Sequence, residues 1–188
     1  MQFNNSILRS FCEGKERRPV TCSPWSVGDH SYATNGSIIV RVARCEDVAL
    51  ADDNKKTAAM VDGWLAAMAE VERVPLPRFE IANGKRWACD DCEGRGYKHD
   101  CPDCSCDCDK CNGGYCHQRV IVAWHGLQIK ALHWQLIAAL PSSLIATALS
   151  PPGHIAFSFD GGYGLVMPMR VPLDSDEPPL IVEPPPAF

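Results

Sequence analysis

Near the N-terminus apolar residues recur at helical spacing. "NNSILRSFCEGKERRPV" puts Ile7, Leu8, Phe11 and Cys12 on one face, Arg9, Glu13, Glu16 and Arg17 on the other, and offers Asn4, Asn5 or Ser6 as N-cap. The period then changes to that of strands. "VTCSPWSV" and "HSYATNGSIIVRVARC" predict a meander with a tight turn at Asn35-Gly36, a pair that tolerates the positive backbone angles of a hairpin. Helical spacing returns in "ADDNKKTAAMVDGWLAAMAEVERV", capped by Asp52 or Asp53, with Val61, Trp64, Leu65, Met68 and Val71 as a core-facing stripe. "VPLPRFEIANGKRW" reads as extended chain with a second turn at Asn83-Gly84.

Beyond residue 118 the alternation starts again. "QRVIVAWHGLQIKALHWQLIAALPSS" predicts a strand, a turn at Gly126 and a helix that buries Ile129, Leu132, Leu136, Ala139 and Leu140 before Pro141 stops it. "LIATAL", "HIAFSFD" and "GLVMPMRVPL" then predict three strands separated by "SPPG" and "DGGYG". No strand-to-helix change follows "DGGYG", so Asp160 to Gly164 is read as a hairpin turn and not as a phosphate cradle. Helix plus antiparallel strands, appearing on both sides of a central segment, predicts an α+β fold interrupted by an insertion.

Composition changes this picture little. The 188 residues are 46% hydrophobic and 22% charged, ordinary for a globular chain, and no apolar run is long enough to span a bilayer. The N-terminus lacks the basic-then-apolar layout of a secretory signal, so a cytoplasmic protein without membrane partners is expected. The net charge of −5 is unevenly spread: residues 1–44 carry +3, while 45–84, 85–119 and 120–188 carry −4, −1 and −3. Arg9, Lys15, Arg17 and Arg18, in the basic first segment, are the candidate DNA-facing residues. The acidic remainder argues against tight DNA binding by charge alone and leaves DNA as a non-specific partner.

The candidate chemistry sits between residues 89 and 116, where "CDDCEGRGYKHDCPDCSCDCDKCNGGYC" holds eight of the chain's 11 cysteines. A reducing compartment disfavours a disulfide framework. Cys89/Cys92, Cys101/Cys104 and Cys108/Cys111 form Cys-x-x-Cys pairs, and Cys106 and Cys116 complete eight thiols, enough for two closed tetrahedral zinc sites. Gly94, Gly96, Gly113 and Gly114 follow two of the pairs, where a tight knuckle requires unusual backbone angles. All-thiolate sites are usually structural, so this metal is expected to hold shape.

"CDDCEGRG" is a full Cys-x-x-Cys-x-Gly-x-Gly box and "CDKCNGGY" a near one, so residues 89–116 resemble a shortened zinc-binding region of DnaJ-type chaperones. That resemblance implies that the outer boxes share one zinc, held by Cys89, Cys92, Cys108 and Cys111. Counting leaves Cys101, Cys104, Cys106 and Cys116 for a second site, with His117 as an alternative to Cys116. The flanks point elsewhere. "GLVMPMRV" and "YATNGSIIVRVAR" are similar to the last strand and a hairpin of the bacterial DNA sliding clamp, the beta subunit of the replicative polymerase. This second resemblance implies that Met167, Pro168, Met169 and Arg170 border a hydrophobic groove into which replication and repair proteins insert a peptide. Flexible, polarizable methionines suit such a surface. A clamp subunit has three such domains where this chain has room for one, and the family carries neither the acidic helix nor the zinc module.

The expectation is therefore a single sliding-clamp-like domain formed by residues 1–44 and 119–173, interrupted by a helical insertion at 45–84 and a zinc module at 85–118, and followed by a flexible proline-rich tail at 174–188. Its expected role is a non-enzymatic scaffold or adaptor in DNA replication, homo-oligomeric, with a phage or mobile element as its expected source. The histidines are scattered without a His-Glu-x-x-His motif, and neither a phosphate loop nor a nucleophile elbow occurs. A DnaJ-like co-chaperone or protein-binding module is the alternative, weakened by the missing His-Pro-Asp tripeptide. A zinc-dependent nucleic-acid binder is a third reading, which the charge map weakens.

Overall fold

In the computed structural model, residues 3–12, 19–97, 108, 111, 113–149, 153–169 and 178–185 are described. The chain divides into two compact units, one of residues 1–79, 122–170 and 183–188, the other of residues 80–121 and 171–182. The fold is α+β, with more strand than helix.

The first unit is built on a seven-stranded antiparallel sheet. Its strands are Trp25–Val27 (β1), His30–Thr34 (β2), Ile38–Ala43 (β3), Arg73–Pro75 (β4), Leu144–Ala146 (β9), Ile155–Phe159 (β10) and Gly162–Val166 (β11), in the order β1-β2-β3-β11-β10-β9-β4. The intervening labels β5 to β8 belong to Arg86–Ala88, Tyr115–His117, Val120–Trp124 and Leu127–Lys130. Strands from before and after the insertion thus share one sheet, joined where β3 pairs with β11, Val40 opposite Gly164. The Asn35-Gly36 turn forms as expected. Asn35 Oδ1 accepts the N–H groups of Ser37 and Ile38, and Gly36 sits at φ 86°. "DGGYG" is a hairpin too, Phe159 pairing with Gly162 across Asp160-Gly161.

Alternation places Ile38, Val40 and Val42 on one buried face of β3, with Ile39 and Arg41 on the other. Helix Lys55–Ala67 (α3) packs on that second face. Its Asp62 accepts bonds from Tyr32 Oη at 2.9 and 3.0 Å and from Arg41 Nη1 at 2.9 Å, so the cation is held within the sheet face. Burial, followed by the Asp62 carboxylate, raises the Tyr32 phenol and keeps it the donor.

Three local expectations are corrected. "VTCSPWSV" is not extended throughout, because Pro19–Cys22 forms a short helix (α2), with proline supplying a helical φ at its first position. The first helix, Asn5–Arg9 (α1), stops short of Phe11 and Cys12, while its cap is Asn4, one of the residues expected there, whose side chain accepts the Ile7 N–H at 3.0 Å. Helix α4, Ala131–Ala138, buries Ala131, His133, Trp134 and Ile137 and leaves Leu132 51% exposed. Ile129 belongs to β8, so the helix begins later than its apolar pattern suggests and its buried face is rotated from the expected one.

Trp134 packs against Trp124 and Phe79, with ring centroids 5.4 and 5.9 Å away. His133 beside it contacts Asn35 Nδ2 at 3.3 Å and has its pKa lowered to about 4, first by burial and then by the Lys130 cation. Among the described residues no helix is long and apolar enough to cross a membrane.

Two measurements check this packing. A Cβ on Gly164 would fall on the Phe157 ring and 2.6 Å from the Ile39 carbonyl oxygen, so Gly164→Ala should lower unfolding free energy in urea by about 1–3 kcal/mol. His133 titrates at about 4 folded against 6.5 unfolded, so the unfolded chain takes up a proton that the folded one refuses. Stability should then be lost as pH falls through that window. His133→Gln should reduce the loss between pH 7 and pH 5 by about 1–2 kcal/mol, read from urea curves at the two pH values.

Candidate metal centre

The second unit is organised by the antiparallel pair β5–β6, in which Arg86, Trp87 and Ala88 face His117, Cys116 and Tyr115. Just beyond it, the Cys89 N–H donates to the Gly114 carbonyl at 2.8 Å, so strand pairing delivers Cys89 to the start of the first knuckle. That knuckle closes with Gly94 N–H on the Cys89 carbonyl at 3.0 Å and Arg95 N–H on the Cys92 carbonyl at 2.9 Å. The Gly96 N–H then donates to Cys92 Sγ at 3.2 Å, a bond that stabilises negative charge on the sulfur. Asn83-Gly84 is not a hairpin turn. The partner of this stretch arrives from beyond the cysteines, and a Cβ on Gly84 would lie 2.5 Å from the Gln118 carbonyl oxygen.

The glycines allow two stretches of backbone to touch. Gly94, Gly96, Gly113 and Gly114 all have positive φ, from 58° to 91°. A Cβ on Gly96 would stand 3.1 Å from the Gly113 carbonyl carbon and the Gly114 nitrogen, and one on Gly114 would strike the Gly94 carbonyl. The Cys108 N–H donates to the Gly96 carbonyl at 2.9 Å, which carries the second cysteine pair back onto the first.

This packing brings the sulfurs of Cys89, Cys92, Cys108 and Cys111 within 4.8 Å of one another. Cys89 Sγ lies 3.9 Å from Cys108 Sγ, and Cys92 Sγ 3.6 Å from Cys111 Sγ. These spacings bracket the edge of about 3.8 Å that a tetrahedron acquires from metal–sulfur bonds of about 2.3 Å. Cys89, Cys92 and Cys108 are buried and Cys111 half-buried. The four thiols can hold a metal ion.

Their ionisation shows why a cation suits the site. Burial pushes the Cys89 thiol up, yet the backbone N–H groups of Cys92 and Asp91 and the thiols of Cys111 and Cys108 bring it down to about 7. Cys111 is pushed up to about 12, by burial and then by its bonds with Cys92 and Cys108. One thiol ionises readily at the expense of another, and a cation among them removes that opposition.

Of the remaining expected ligands, Cys101, Cys104 and Cys106 lie outside the described residues. Cys116 is on β6, half-buried and packed against Cys89, Cys92 and Cys108. Its neighbour His117 is exposed.

The expected groove residues divide. In the first unit Met167 is 48% exposed and borders an apolar groove of about 270 Å³, whose walls include Ile39, Met60, Val61, Trp64 and Leu165. Pro168 and Met169 are half-buried but do not line it, the Met169 N–H donating to the Gln128 carbonyl at 2.7 Å. Arg170 lies outside the described residues. The α3 wall of the groove includes Val61 and Trp64, both expected in the core stripe, together with Thr57 and Met60, which recur at the same helical spacing but have no place in that expected stripe. Arg9 is exposed at the end of α1, whereas Lys15, Arg17 and Arg18 lie outside the described residues.

Comparison with known proteins finds no matching family model, curated protein or solved structure.

The close approach of the two knuckles is directly testable. Gly114→Ala places a methyl group against the Gly94 carbonyl, so the purified variant should hold metal at least tenfold more weakly than wild type in competition with a chromophoric chelator. Gly63→Ala is the control, since a Cβ there meets nothing within 4 Å.

Proposed function

We propose that this chain is a non-enzymatic, sliding-clamp-like scaffold or adaptor in DNA replication, with a zinc ion holding its inserted module in shape. The observation that carries this reading is the groove of about 270 Å³ beside Met167, at the end of the very strand that resembles the clamp's peptide-binding edge. An apolar trough rimmed by Met60 and Met167, with Trp64 in its wall, suits a short peptide carrying leucine and phenylalanine side chains. Methionines can repack around peptides of differing shape, as a scaffold serving several replication or repair proteins requires.

Zinc is the metal we assign to Cys89, Cys92, Cys108 and Cys111. Four thiolates at tetrahedral spacing favour a soft or borderline ion, and a closed shell leaves no position for a reacting water. The role is structural, and the setting we propose is the reducing cytoplasm, where the thiols stay available. Association into a closed homo-oligomer belongs to the same reading, with DNA as a non-specific partner. A second reading, a DnaJ-like protein-binding module, draws support from the back-to-back glycine knuckles.

Fluorescence anisotropy with a labelled leucine- and phenylalanine-containing peptide, read beside the native mass of the same sample, tests the proposal. We expect a zinc-loaded oligomer that binds the peptide, and at least tenfold weaker binding by Met60→Glu, a half-exposed position whose change leaves the core intact. Equal binding by Met60→Glu, or none by wild type, would overturn the groove reading. A zinc-loaded monomer would remove the ring and leave the adaptor.

A further inference from the structure

The metal centre has a fifth cysteine at its edge. On the β5–β6 pair, Cys116 stands opposite Trp87, and Cys89 follows two residues later, opposite Gly114. Side chains two apart on a strand share a face, so Cys89 and Cys116 are diagonal neighbours on one side of the hairpin. Cys116 packs against the buried cluster of Cys89, Cys92 and Cys108, and neither Cys89 nor Cys116 is in a disulfide. Four thiols already fill a closed tetrahedral shell.

We infer that Cys116 is the resolving thiol of a peroxide-sensitive switch, which captures Cys89 in a disulfide and thereby opens the metal centre. This rests on the four-thiol metal reading given above. The chemistry is a two-electron oxidation in two steps. The Cys89 thiolate attacks one oxygen of hydrogen peroxide, breaking the O–O bond to give a sulfenic acid and hydroxide. The Cys116 sulfur then attacks the Cys89 sulfur, the S–S bond forms, and the sulfenic oxygen leaves as water with the Cys116 proton. Both electrons come from the two sulfurs and end on the peroxide oxygens.

Geometry gives the switch its threshold. Diagonal neighbours on paired strands are typically about 7–8 Å apart, whereas a disulfide needs Cα atoms within about 6.8 Å. Closing the bond therefore requires the two strands to shift towards each other by about an ångström. A Cys89 held in a four-thiolate shell resists that movement, and a Cys89 withdrawn from the shell leaves three thiolates and an open site. Reduction of the disulfide by a dithiol restores all four ligands.

The test treats full-length, metal-loaded protein with hydrogen peroxide, follows zinc release with a chromophoric chelator, and maps disulfides by mass spectrometry. Wild type should release zinc with formation of a Cys89–Cys116 link, and dithiothreitol should restore binding. Cys116→Ser and Cys116→Ala should load zinc at the four-thiol site as wild type does, and release it at least tenfold more slowly. A link between other cysteines with equal release from the variants would overturn the inference alone. So would loss of one zinc per chain in the untreated variants, which would make Cys116 a ligand of a second site. Wild type purified from zinc-supplemented cells without any zinc would fail the metal reading, and this inference with it.

Discussion

Four sulfurs within 4.8 Å of one another, three of them buried, pose an electrostatic problem that the second unit is built around. Without a cation, each thiolate raises the cost of ionising the next, and the contrast between Cys89 and Cys111 shows that opposition. A dication adds to every thiolate an attraction that outweighs their mutual repulsion. The surrounding backbone serves the same end, since Gly96 N–H points at the Cys92 sulfur and the paired glycines let the two knuckles close on each other. Among its described residues the second unit buries Ile121 and three cysteines as its apolar side chains, so a metal that binds the folded arrangement and not the open chain contributes directly to its stability.

The first unit is held differently. Its sheet depends on β3 finding β11 across more than a hundred intervening residues, a pairing set by the alternation of Ile38, Val40 and Val42. Gly164 admits the Phe157 ring at the centre of that seam, and Asp62 ties α3 to the opposite face through Tyr32 and Arg41. The placement of α3 creates the groove, because the helix covers Arg41 fully enough to bond it but leaves Ile39 and Met167 with an open side. An insertion between β3 and β11 is tolerated because loop-closure cost grows slowly with length.

Local chemistry made part of this legible in the sequence. The Asn35-Gly36 and Asp160-Gly161 turns and the α+β alternation follow from residue type and spacing, whereas the grouping of Cys89 and Cys92 with Cys108 and Cys111 is what the resemblance of their boxes to a DnaJ-type zinc region implies. Features decided by tertiary partners were not legible. Asn83-Gly84 looks like a hairpin turn, but its neighbour at Gln118 comes from the far side of the module. The face of α4 depended on where β8 ends, and no capping residue marks that point, Lys130 making no side-chain cap bond. Trp64 and Met60 carry a helical repeat that fits a core stripe as well as a groove wall, and what lies opposite the helix decides between them.

Zinc K-edge X-ray absorption of the purified full chain addresses the central claim most directly, because it reads the metal's identity and first shell together. The account expects zinc with four sulfur neighbours at about 2.3 Å. A first shell containing two or more oxygen or nitrogen atoms, or no zinc edge at all, would contradict it.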